Sequence, residues 1–199
     1  MDNQIDLAQF SYEQLAHALY VKGKQAGFHK ITDKTKWREL VMAEKLGHQC
    51  FPKISAGRLS ERRGADADTQ TGHKAEYKSS AIEDHQLRNL LRQARGNSGS
   101  TYAPLTIGGV YNGAYTYEAI DSYNHHQHYF GLFYQELCVL IIRVHNHEVD
   151  RQLRQELDRR AKLARPGTTN LNTVRICLDR TDLYEVAYRN DQWFAEQSQ

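Results

Sequence analysis

Several things are scarce in this 199-residue sequence, and each scarcity excludes a class. No apolar run approaches the roughly 18 residues of a membrane helix, and mean hydropathy is -0.74. The N-terminal Met1 to Phe10 has no basic start followed by an apolar stretch, so no secretory leader is expected. Cysteine is limited to Cys50, Cys138 and Cys177, an odd number without a CxxC pair, which argues against both a disulfide framework and a thiolate zinc site. Excess charge is lacking too: Lys+Arg 26 against Asp+Glu 24 leaves +2, far from a chain that coats nucleic acid by bulk charge. Neither an internal repeat nor a domain boundary is visible. With 40% hydrophobic and 25% charged residues, the composition is that of one soluble, cytoplasmic domain spanning 1–199, with no membrane partner.

Basic residues are nevertheless clustered, which matters because phosphate contacts are local. Lys53, Arg58, Arg62 and Arg63 crowd one stretch, and Arg88, Arg92 and Arg95 recur at helical spacing. Solvated faces would look the same.

A helical part is expected over 1–47. Ser11 with Gln14 makes a capping box, after which Tyr12, Leu15 and Leu19 share a face. A second helix opens near Asp33, carries Trp37, Leu40 and Val41, and stops at Gly47. Short strands are expected over 49–54 and 73–80, separated by a turn-rich stretch from Asp66 to Gly72, followed by an amphipathic helix over 84–95. Asn112-Gly113 between two apolar runs predicts a hairpin inside a segment, 96–124, that could reach DNA. A second hairpin is expected around Gln135-Glu136, with Leu137 to Ile142 as a central strand. Val149, Leu153, Leu157 and Ala161 then give a helix with Asp150–Arg154 and Glu156–Arg160 ion pairs, and Asn146 or His147 as its cap. Strands follow over 173–178 and 184–188. The fold class is α/β (α+β), a mixed central sheet flanked by helices.

Chemistry concentrates between Asp66 and Lys78. Glu76 and Lys78, two apart on a strand, project from one face while Tyr77 points the other way. An aspartate returning through a glycine-containing turn, Asp66 or its rival Asp68, would bring a second carboxylate beside them. Two carboxylates are hard oxygen ligands suited to Mg²⁺, which keeps several waters and binds phosphate. A lysine there can position or deprotonate a water, or stabilise charge on a phosphate. The run Asn124-His125-His126-Gln127-His128 is dense in donors and acceptors for base edges. His145-Asn146-His147 lacks the wide spacing of a ββα metal site, so zinc is not expected.

Asp66, ten residues before Glu76, with Glu76-Tyr77-Lys78-Ser79, then a helix and an apolar strand, resembles the core of PD-(D/E)XK nucleases, in particular the orthodox Type II restriction endonucleases. The 129–144 hairpin, the charged helix after it, and the Asn170-to-Ile176 loop and strand are similar to that class in layout. The match is poor between Ala81 and Asn124, and no proline precedes Asp66. The resemblance implies a restriction-endonuclease-like fold and Mg²⁺-dependent cleavage of double-stranded DNA by a homodimer, with Asp66, Glu76 and Lys78 catalytic and Asp66 and Glu76 on the metal. It further implies a helix glutamate in the site, Glu44 first and Glu39 second. Base contacts are expected from the Asn124, His125, His126 and His128 run and from Asn170 and Asn172, and phosphate contacts from Arg88 and Arg92. A structure-specific repair or junction-resolving nuclease on the same core, a DNA-binding module with an accidental Glu-x-Lys, and a structural core remain alternatives.

Overall fold

The computed structural model describes residues 6–25, 34–50, 65–94, 106–109, 111, 116–163, 174–177 and 183–197. Among these, α1 (Tyr12–Gln25) and α2 (Lys34–Leu46) precede β1 (Gln49–Cys50), β2 (Ala67–Asp68) and β3 (Lys74–Ala81). Then come α3 (Asp84–Ala94), β4 (Thr106–Gly109), α4 (Tyr117–Tyr123), β5 (His126–Tyr134) and β6 (Leu137–Val144). The order closes with α5 (Asn146–Leu163), β7 (Val174–Cys177), β8 (Tyr184–Arg189) and α6 (Asp191–Glu196). The main sheet runs β1-β2-β3-β5-β6-β8 and is mixed: β3 and β5 are parallel, the other neighbours antiparallel. The chain is therefore a mixed α/β protein with helices on a mixed sheet, and no helix among the described residues is long and apolar enough to cross a membrane.

Both sheet faces are covered. Val41, Met42 and Ala43 of α2 pack on Ala75, Tyr77, Tyr129, Phe133 and Ile141. On the other face, Leu90, Ile120, Leu153, Leu157, Trp193 and Phe194 enclose Phe130, Leu132, Val139 and Ile142. This two-sided burial explains the continuous apolar run of β6, whose Cys138 is a buried core residue with its thiol pushed up by burial.

Local signals decide several elements. Ser11 Oγ accepts the Gln14 N–H at 3.1 Å while Gln14 Oε1 accepts the Ser11 N–H at 2.8 Å, a reciprocal capping box. Gly47, at φ 65°, ends α2 in a Schellman turn: the His48 N–H reaches the Ala43 carbonyl and the Gly47 N–H that of Glu44. Gln135 and Glu136 both take positive φ, joining β5 and β6 by the expected two-residue turn. On α5, Arg154 pairs with Asp150 and Arg160 with Glu156 as expected, while Ala161 is exposed. The cap of α5 lies one residue earlier than expected, since the His145 carbonyl already accepts the Val149 N–H.

Two expectations are corrected. The buried face of α1 holds Glu13 and Ala16, whereas Tyr12 and Leu19 are exposed. Glu13 is stable inside because Oε1 accepts the Cys138 N–H at 2.7 Å and Oε2 pairs with Lys45 at 2.5 Å. The expected strand from Ala114 to Tyr117 does not reach its predicted end: Tyr117 opens α4, capped by Thr116, while β4 pairs antiparallel with β7 in a separate two-stranded sheet, and Ala114-Tyr115 lie outside the described residues. Asn112-Gly113 itself lies outside the described residues.

Gly131 marks the tightest place in the sheet. A Cβ there would lie 2.7 Å from Met42 Sδ and 2.9 Å from Phe133 Cε2, both on fully enclosed side chains. Gly131→Ala is expected to lower stability by about 1–3 kcal/mol, read as a lower denaturant midpoint at unchanged slope.

Candidate active site

Asp66 stands immediately before β2, beside β3. Its N–H donates to the Ala75 carbonyl and its carboxylate Oδ2 accepts the Tyr77 N–H, each at 2.8 Å. These two bonds straddle Glu76 and tie Asp66 to it. The antiparallel return runs through a turn at Thr69 to Gly72, where Gly72 adopts φ 78°. Tyr77 is anchored on the opposite face, its hydroxyl on His48 Nδ1 at 2.7 Å and its ring edge-on to Tyr129. Glu76 and Lys78 consequently project together, and Lys78 Nζ is hydrogen-bonded to Glu76 Oε1. Both side chains are largely enclosed, at 12% exposure for Lys78 and 7% for Glu76, so each charge is compensated by the other.

Asp68 does not compete for this place. It pairs with Lys74 at 2.5 Å, the residue directly opposite in the register, and both side chains are substantially exposed. The two helix glutamates also fall away. Glu44 is exposed and its Oε1 accepts the Tyr12 N–H at 3.4 Å, tying α2 to the start of α1. Glu39 is buried, but it shares the α2 face of Met42 and Ala43, which packs against Tyr77 on the side of the sheet away from Glu76.

Parallel pairing of β3 with β5 brings in residues that the sequence reading sent to DNA. Lys74 lies opposite His126, Glu76 opposite His128 and Lys78 opposite Phe130. His126 is 7% exposed and His128 1% exposed, so the structure places both side chains inside the protein rather than at its surface, where the expected base contacts would need them. Burial lowers the His126 pKa, with the charges of His125, Lys74 and Lys78 acting the same way and Asp66 opposing. Burial also holds His128 down to about 4. Its Nε2 faces the Tyr123 carbonyl and its Nδ1 the Tyr111 hydroxyl, both at 3.0 Å. Asn124 is the exposed C-cap of α4, with Nδ2 donating to Asp150 Oδ1 at 3.0 Å. His125 is exposed and stays available to solvent.

Tyr111 was not singled out in the sequence. It is fully buried, with its ring face 4.4 Å from Lys78 Nζ. Burial first, then the charges of Glu76, Tyr123 and Asp66, hold its phenol well above the ordinary range. Asp66 and Glu76 thus project their fields onto one enclosed spot. Nothing in the run from Ile107 to Tyr111 distinguishes this tyrosine from a strand aromatic; only the fold shows its place.

Of the expected phosphate contacts, Arg88 is exposed on α3 and Arg92 lies on the same helix. Arg95, Asn170, Asn172 and the Lys53 to Arg63 stretch lie outside the described residues. Among the described residues no group of three or more His, Cys, Asp and Glu is arranged to hold a metal. Two buried carboxylates, Asp66 and Glu76, lie on neighbouring stretches of backbone, and such a pair would suit Mg²⁺, an oxygen-seeking ion that takes one or two carboxylates and keeps waters for the rest. Compared with known proteins, the chain matches no family model and no curated sequence.

Proposed function

We propose that the chain is a Mg²⁺-dependent endonuclease that hydrolyses phosphodiester bonds of double-stranded DNA, an orthodox Type II restriction endonuclease on a restriction-endonuclease-like core. It would act as a homodimer on a short palindromic site, each subunit cutting one strand. The reading is carried by one observation: Asp66 is bonded to the backbone on both sides of Glu76, with Lys78 on the Glu76 carboxylate.

In this reading Asp66 and Glu76 would hold the metal, which when bound would acidify a water and offset charge on the attacked phosphate. Asp66 also braces the Tyr77 amide, so the strand that carries Glu76 and Lys78 cannot slide while substrate binds. Lys78 presents its ammonium protons beside Glu76, placed to donate to a phosphate oxygen as negative charge builds there. Exposed Arg88, on the helix that follows β3, serves phosphate contact and register on the duplex.

The test is direct. Purified protein is incubated with supercoiled plasmid and phage DNA, with Mg²⁺ or with EDTA, and the products are resolved on a gel. Discrete, metal-dependent bands are the expected result, and sequencing their ends gives the site. A smear, or cutting confined to branched DNA, would assign the core to structure-specific cleavage. Absence of cutting on every substrate would overturn the reading.

A further inference from the structure

The charged end of Lys78 has four rotatable bonds behind it, and one carboxylate oxygen is a weak constraint on where it sits. A second constraint is present on its other side. Tyr111 is fully buried and lays its ring face 4.4 Å from Nζ, the geometry in which an aromatic quadrupole attracts a cation, most strongly where water is excluded. The ring is itself locked. Because a carbonyl can only accept, the Tyr123 carbonyl fixes the proton of His128 on Nε2. Nδ1 is then the acceptor, and the Tyr111 hydroxyl donates to it. Tyr123 adds an edge-on ring contact to Tyr111 at 5.3 Å. His128 in turn is held by β5, directly opposite Glu76 in the register. A closed path therefore runs from the strand bearing Glu76 through His128 and Tyr111 back to the lysine.

We propose that Tyr111 is the positioning residue of Lys78: its ring face holds the ammonium against Glu76, and its hydroxyl, locked by His128, keeps that face in place. This deepens the nuclease reading and rests on it, in that Lys78 is taken as the group that meets the phosphate. The phenol is suited to the task because it stays neutral, with its ionisation opposed by burial and by the neighbouring carboxylates.

Tyr111→Phe keeps the ring, whereas Tyr111→Met fills similar space without one. Two readouts are taken on each: cleavage kinetics with Mg²⁺, and the rate at which an amine-acylating reagent modifies Lys78, scored by mass spectrometry against exposed Lys162. Tyr111→Phe keeps the ring but loses its tether to His128, and is expected to shift a few-fold, lying between the parent and Tyr111→Met in both readouts. Tyr111→Met is expected to lower kcat about tenfold or more at unchanged KM, since small misplacement of a reacting group has effects of that size. It should also raise Lys78 modification several-fold. Equal behaviour of Tyr111→Met and parent in both readouts would overturn the proposal, as would a loss in Tyr111→Phe as large as that in Tyr111→Met. If the parent cuts no DNA, the nuclease reading fails, and the order of modification rates alone decides the positioning. A measurement on the unaltered protein needs no variant to fold: ring current over Tyr111 should move the Lys78 ε-methylene protons upfield of an ordinary lysine. Unshifted protons would refute the contact.

Discussion

Glu76→Gln is expected to slow Mg²⁺-dependent DNA cleavage on the order of a thousandfold while DNA binding persists. Metal electrostatics at a phosphoryl group is worth several kcal/mol, and each ~1.4 kcal/mol is a factor of ten in rate. Glutamine keeps the shape and one acceptor oxygen, so the loss would come from the carboxylate charge rather than from a hole in the sheet. A side effect must be separated from it. Lys78 is largely enclosed with Glu76 as its charge partner, and removing one member of such a pair leaves an uncompensated cation. Thermal unfolding and DNA affinity of the variant are therefore measured beside the rate. Asp68→Ala is the companion experiment, because the Asp68–Lys74 pair is exposed and worth at most about 1 kcal/mol. Cleavage by that variant should stay within about threefold of the parent, whereas Asp66→Ala should fall as far as Glu76→Gln. A reversed order would return the first-carboxylate role to Asp68, and full activity in Glu76→Gln would remove the active-site assignment altogether.

The sequence revealed those parts of the molecule that are determined locally. The Ser11–Gln14 capping box, the Gln135-Glu136 turn, the Gly47 stop and the i,i+4 pairs of α5 each involve residues a few positions apart, and all are present. The return of Asp66 beside Glu76 was legible for the same reason, since one short turn with Gly72 closes it. What was not legible depends on pairing across long stretches. No property of Asn124 to His128 states that β5 will lie parallel to β3, yet that register alone buries His126 and His128 behind the site. The reversal of α1 has a related cause. Its apolar stripe is weak, and a distant backbone donor, Cys138 N–H, together with Lys45 makes burying Glu13 favourable. Glu44 and Glu39 were similarly separated by which face of α2 meets the sheet, a tertiary choice.

His128 gives the fold a pH dependence that can be measured without any substrate. Burial holds its pKa at about 4, against 6.5 for an ordinary histidine. Below pH 6.5 the unfolded chain takes up a proton that the folded protein refuses, so stability must decline as pH falls. The contribution is complete above pH 6.5, fades through the interval down to about 4, and amounts to about 3 kcal/mol in total. His126, also lowered by burial, adds an effect of the same sign in the range below its ordinary value. Glu156, held down to about 2 chiefly by the Arg159 hydrogen bond, acts in a lower window, beneath the ordinary carboxylate range. Because these contributions overlap or adjoin, the parent's curve alone does not isolate His128. His128→Gln does: its amide can donate to the Tyr123 carbonyl and accept from the Tyr111 hydroxyl, but it does not titrate. Urea unfolding in metal-free buffer between pH 7 and 4 should show the parent losing about 3 kcal/mol more than this variant. Parallel losses in the two proteins would mean that His128 takes up its proton near the ordinary 6.5 in the folded state as well. Below that pH the Nδ1 lone pair that accepts the Tyr111 hydroxyl would be lost, and with it the tether that keeps the ring over Lys78 in place.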